Sequence, residues 1–116
     1  MSETEIHNAL LRNFTAWFNS DLVNIDSEES IDDAIGGAAA DLYRIEKDPS
    51  PIVNYIHKLL ANWNDQLTLE FDHAALQVWF DEGRTGHLKT ILSSIASELE
   101  WHGKQRREHL RSKINV

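Results

Sequence analysis

Apolar residues recur at helical spacing through most of the chain, and the breaks between the periodic runs fall on acids, prolines and glycines. The first run holds Ile6, Leu10, Phe14, Trp17 and Phe18. Ser2 with Glu5 forms a capping-box pattern ahead of it, which predicts a helix to about Ser20. The segment "DLVNID" that follows is apolar but short, a loop or an extra turn. Ser27 or Ser30 then caps a second run with Ile31, Ala34, Ile35, Ala38, Leu42 and Ile45 on its apolar face. "KDPSP" ends that helix, because proline lacks an amide donor and pushes the preceding residue out of the α region. Ser50 as N-cap and Pro51 at the first helical position start a third helix, with Ile52, Val53, Ile56, Leu59, Leu60 and Trp63 inward.

The stretch "QLTLEF" alternates apolar and polar residues as a strand would, but a lone strand has no sheet to join, so a loop or short extended link is expected. Asp72 is the expected N-cap of "HAALQVWFDEG", a short helix with Leu76, Trp79 and Phe80 inward and Gly83 at its stop. From Thr85 a last run carries Leu88, Ile91, Leu92, Ile95 and Leu99. Its apolar stripe fades beyond Leu99, where Leu110 and Ile114 alone continue a trace, and Gly103 marks a natural bend. These elements predict a compact all-α bundle of four to five helices with short connections, in a single domain over residues 1–116.

Gly36 and Gly37 sit inside the second helical run, where each costs about 1 kcal/mol relative to Ala. Gly36 and Ala40 share one face and Ala34 and Ala38 an adjacent strip. The spacing predicts a groove for close approach of another helix of the same chain, such as the last one. A hinge or a groove open to a partner helix are the alternatives. "NFTAWFNSD" and "ALQVWFDEG" both end a helix with Trp-Phe, which suggests a shared aromatic plug at one end of the core.

Composition narrows the possible chemistry. Cysteine is absent, which rules out disulfides, zinc-thiolate sites and a thiol nucleophile, and fits the cytoplasm. Neither a signal peptide pattern nor a long apolar span occurs, so no membrane association is expected. The net charge of −8 is uneven. Residues 1–50 hold eleven acids against three bases, residues 51–83 five against one, and residues 84–116 three against seven. The two ends therefore have opposite sign, at −8 and +4.

Glu98, His102 and His109 share a helix face but lack the paired-histidine spacing of a zinc site, and His73 and His87 could meet only across a turn. No catalytic triad pattern, nucleophile elbow or P-loop is present. No enzyme, metal or cofactor is expected.

The acids Asp21, Asp26, Glu28, Glu29, Asp32, Asp33 and Asp41 form a candidate patch for binding a basic protein surface. With Glu46 and Asp48 they could also imitate the charge array of DNA. Trp101, Lys104, Arg106, Arg107, Arg111 and Lys113 form a second candidate surface, a basic tail with an aromatic anchor. The leading expectation is a protein-binding inhibitor or antagonist of the immunity or counter-defence type that occupies a target's basic surface. The alternatives are a nucleic-acid-binding or nucleoprotein subunit using the basic helix, and a homo-oligomer in which tail meets acidic face.

Overall fold

Six helices form in chain order: α1 (Glu3–Trp17), α2 (Glu28–Ile45), α3 (Ser50–Ala61), α4 (Asp65–Ala74), α5 (Val78–Asp81) and α6 (His87–Ile114). The structure is a computed structural model that describes residues 1–19, 21–81 and 83–114, with side chains described through Gln105 apart from residues 20 and 82. The described residues contain no strand, so the all-α bundle expected from periodicity is the architecture found. No helix among them is long and apolar enough to cross a membrane.

α1 and α6 lie on different sides of the bundle, and α2, α3 and α4 each pack against both. The core between them is built from Leu10 and Phe14 of α1, Leu42 of α2, Ile56 of α3, Phe71 of α4, and Leu88, Leu92, Ile95 and Leu99 of α6. Phe14 is its aromatic centre, edge-on to Phe71 at 4.9 Å and 5.0 Å from Phe18.

The helix starts are chemically set. Ser2 and Glu5 close the expected capping box, Ser27 rather than Ser30 caps α2, and Asn64 caps α4 by accepting the Leu67 amide at 2.9 Å. α3 departs slightly from expectation. Ser50 is already helical behind Pro49, and the Asp48 carboxylate accepts its amide.

Five expectations need correction. "QLTLEF" is helical: Leu67 and Phe71, one turn apart, face the core while Leu69 is exposed, so the alternation reflects two turns of amphipathic helix. Asp72 does not start a helix. It lies near the end of α4, which stops at Ala74, and α5 is a separate turn after it. Leu76 and Phe80 point outward, 59% and 62% exposed, while Trp79 is fully buried. Ile45, the last residue of α2, is likewise exposed, at the rim of a shallow hollow beside Ala9 and Arg12 of α1. Helix α6 starts at His87 rather than Thr85 and continues as helix through Gly103.

The glycine pair serves a different contact from the one expected. α2 is continuous, and nothing lies within 4 Å of a side chain added at Gly36. At Gly37 an added Cβ would stand 2.4 Å from the indole of Trp17. The neighbour that needs the space is therefore a side chain of α1, not the backbone of α6. α1 also approaches α2 closely at Asn13, whose Nδ2 donates to the Ala38 carbonyl at 3.1 Å.

The two Trp-Phe pairs do meet, with their roles reversed. Phe18 and Trp79 are the buried members, and the Trp79 indole donates to the Phe18 carbonyl at 3.3 Å.

Candidate functional site

The end of the bundle that holds the start of α2 collects most of the unpaired negative charge. Residues 21–26 cross it as two successive turns in which Val23 and Ile25 are buried while Asp21, Leu22 and Asp26 face solvent. Asn19 pins this segment by accepting the Asp21 amide at its side chain and the Leu22 and Val23 amides at its carbonyl. Leu22 is left 61% exposed as a ridge between two hollows.

On one side of that ridge lies an open groove of about 680 Å³. Its apolar wall is Leu22, Val23, Ile25, Leu76 and Val78, and Asp21 and Asp81 stand at its rim. On the other side a smaller hollow is lined by Trp17, Leu22, Glu29 and Asp33. Glu28 and Asp32 sit one row further round α2, beside His87 and Thr90 of α6.

Leu76 reaches the groove through an unusual backbone. α4 ends in a Schellman turn: the Leu76 amide donates to the His73 carbonyl at 3.0 Å and the Gln77 amide to the Asp72 carbonyl at 2.8 Å. Leu76 occupies the left-handed position at φ 61° that glycine ordinarily takes, and Gln77 follows at φ 62°. Each such residue costs about 1–2 kcal/mol. Asp72 offsets part of that cost, because its buried carboxylate accepts the Trp79 and Phe80 amides at 3.1 and 3.0 Å and so caps α5.

The predicted acidic residues divide into two groups. Asp21, Glu28, Glu29, Asp32 and Asp33 are exposed at this end and have no ion-pair partner among the described residues. Asp26 is different, paired with Arg84 at 2.6 Å, and the same guanidinium donates to the Ile25 carbonyl. Asp41 is also set apart. It accepts the Trp17 indole N–H at 2.7 Å, pairs with Arg44 at 3.2 Å, and lies two turns of helix beyond Asp33, about 12 Å along the axis. Asp26 and Asp41 thus hold the fold together at the patch's edges. Asp81, the ridge residue Leu22 and the groove residue Leu76 belong to the surface but were not read from the sequence.

At the opposite end of the long axis, Trp101 is 55% exposed and Lys104 is exposed. His102 stacks on Tyr43 at 5.3 Å, tying α6 to the end of α2. The side chains of Arg106, Arg107, Arg111 and Lys113 lie outside the described residues, as does that of His109.

A half-buried polar relay was also not legible in the sequence. His7 of α1 bonds Tyr55 of α3 at 2.7 Å and Glu70 of α4 through its other ring nitrogen. Burial raises the Tyr55 hydroxyl above its usual value, with the Glu3 and Glu70 carboxylates adding to the shift and Lys58 opposing it. The Ser2 backbone and hydroxyl hold the Glu5 carboxyl below its usual value. Among the described residues no group of three or more histidines and acids is placed to hold a metal.

No protein-family model matches the chain, and neither the curated proteins nor the solved structures compared with it give a match.

Proposed function

We propose that the chain is a protein-binding module, acting as an inhibitor or antagonist, whose acidic end occupies a basic, partly apolar surface of a target protein. One observation carries this reading: Asp21, Asp81, Glu29 and Asp33, unpaired among the described residues, line the hollows on either side of the exposed Leu22, with the exposed Leu76 in one of them, and the equally unpaired Glu28 and Asp32 extend the charge round α2 toward α6. An apolar centre with a charged rim is the arrangement of a recognition surface, in which the apolar contact supplies affinity and the rim supplies steering and register.

The charge layout costs stability. Glu28 with Asp32 and Glu29 with Asp33 are like-charge pairs at i and i+4, each opposing the helix by about 0.2–0.5 kcal/mol. The positive end of the helix dipole compensates Glu28 and Glu29 in the first turn and has faded by the second. A binding role accounts for Asp32 and Asp33, acids in the second turn that bring the helix no gain.

Affinity capture from the native host tests the proposal, comparing the wild type with a Glu28→Gln/Glu29→Gln/Asp32→Asn/Asp33→Asn variant of unchanged helicity. The proposal expects a partner held by the wild type, eluted by salt and lost by the variant. Equal capture by both proteins would refute it.

A further inference from the structure

Taking the acidic end as a recognition surface, as proposed above, we infer that its apolar groove also receives the basic end of α6 from a second copy of this chain, so that copies associate head to tail. The first argument is the match of shape and charge. Residues 104–114 continue α6 as helix, and positions 110 and 114, Leu and Ile, lie one turn apart on it. Arg107 and Arg111 stand one row to the side, at i−3 from each anchor. A helix with apolar anchors at i and i+4 and cationic flanks is complementary to a groove walled by Leu22, Leu76 and Val78 and rimmed by Asp21 and Asp81.

The second argument is direction. α6 runs parallel to α2, with His87 beside Asp32 at one end and His102 on Tyr43 at the other. α2 stops at Ile45, and α6 continues twelve residues beyond His102, about 18 Å of helix. The groove lies at the start of α2, beside Ser30. A continuous helix pointing away from the groove cannot return to it, so the occupant is another molecule. Because donor and acceptor surfaces differ, the contact is heterologous and builds chains or rings rather than a two-fold dimer. It also covers the surface offered to a target, so self-association and target binding compete.

Sedimentation velocity of the purified full chain tests this. Wild type is expected to associate weakly at low salt, with a dissociation constant on the order of 0.1 mM, and to become monomeric as salt screens the contact. An Arg107→Glu/Arg111→Glu variant and an Asp21→Lys/Asp81→Lys variant, each checked for native helicity, are each expected to weaken association at least about tenfold. An equimolar mixture of the two restores it, since each reversed surface then finds its complement. A wild type monomeric at about 1 mM and low salt, an oligomer indifferent to either reversal, or a mixture that stays monomeric would each overturn the inference. Target capture separates this from the wider proposal. A monomeric wild type that still captures its target removes only the head-to-tail contact, whereas capture unaffected by the reversed groove and by neutralised α2 acids removes the recognition surface itself.

Discussion

The indole of Trp17 lies flat over Gly37, so close that a Cβ there would meet three ring carbons within 2.9 Å, and its N–H is fixed to Asp41 at 2.7 Å. Because Glu29, Asp33, Gly37 and Asp41 form one i, i+4 row of α2, this contact sets Asp41, tied to Trp17, apart from Glu29 and Asp33, which have no ion-pair partner among the described residues. Gly36, its neighbour, has open space where a side chain would go.

The two glycines are therefore expected to respond oppositely to the same change. Gly36→Ala should stabilise the protein by about 0.5–1 kcal/mol, through helix propensity. Gly37→Ala should destabilise it by about 1–3 kcal/mol, since the tethered indole must move. Urea unfolding of both variants checks this, and equal effects would mean that Trp17 does not occupy that strip.

Leu76 gives a second test. Replacing it with glycine relieves a left-handed leucine and should raise stability by about 1 kcal/mol while weakening binding at the groove it lines. Asp72→Ala should do the reverse to the fold, costing about 1–3 kcal/mol by uncapping α5 beside the buried Trp79. Thermal unfolding of the two variants reads both signs.

The second-turn acids should show the same trade between fold and binding. Asp32→Asn/Asp33→Asn removes one partner from each like-charge pair and is expected to raise stability by about 0.5 kcal/mol at low salt, with the gain fading as salt is added. Chemical unfolding at two ionic strengths measures it. A loss of stability at low salt would mean that these carboxylates have favourable partners in the fold.

The relay predicts an alkaline limb. Tyr55 has a folded-state pKa above its ordinary 10.0, so its stabilising contribution is complete below that value. As pH rises further the unfolded chain ionises first, and stability falls until the folded value is passed. Tyr55→Phe should flatten this decline above about pH 10, while costing about 1 kcal/mol at neutral pH for the lost bond to His7. A decline of unchanged slope in the variant would assign the alkaline loss to other groups.

Helical periodicity made the bundle legible, because Leu10, Phe14, Leu42, Ile56 and Leu92 lie where a 3.6-residue repeat places them. It failed between residues 66 and 81 for two physical reasons. Leu67, Leu69 and Phe71 imitate strand alternation although just two of the three face the core, and a leucine in a glycine position gives no local signal of the turn it makes. The acids at the start of α2 were legible as a cluster, but the partners that set Asp26 and Asp41 apart, Arg84 and Trp17, are 58 and 24 positions away. The His7, Tyr55 and Glu70 relay joins three helices across similar separations, and no short motif could announce it.

The recognition role of the acidic end is tested most directly by the association rate with a captured partner, followed between about 0.05 and 0.5 M salt. Wild type should slow by at least about tenfold across that range, and the variant with Glu28, Glu29, Asp32 and Asp33 neutralised should start slow and stay nearly flat. Identical rates and identical salt dependence for the two proteins would contradict the account.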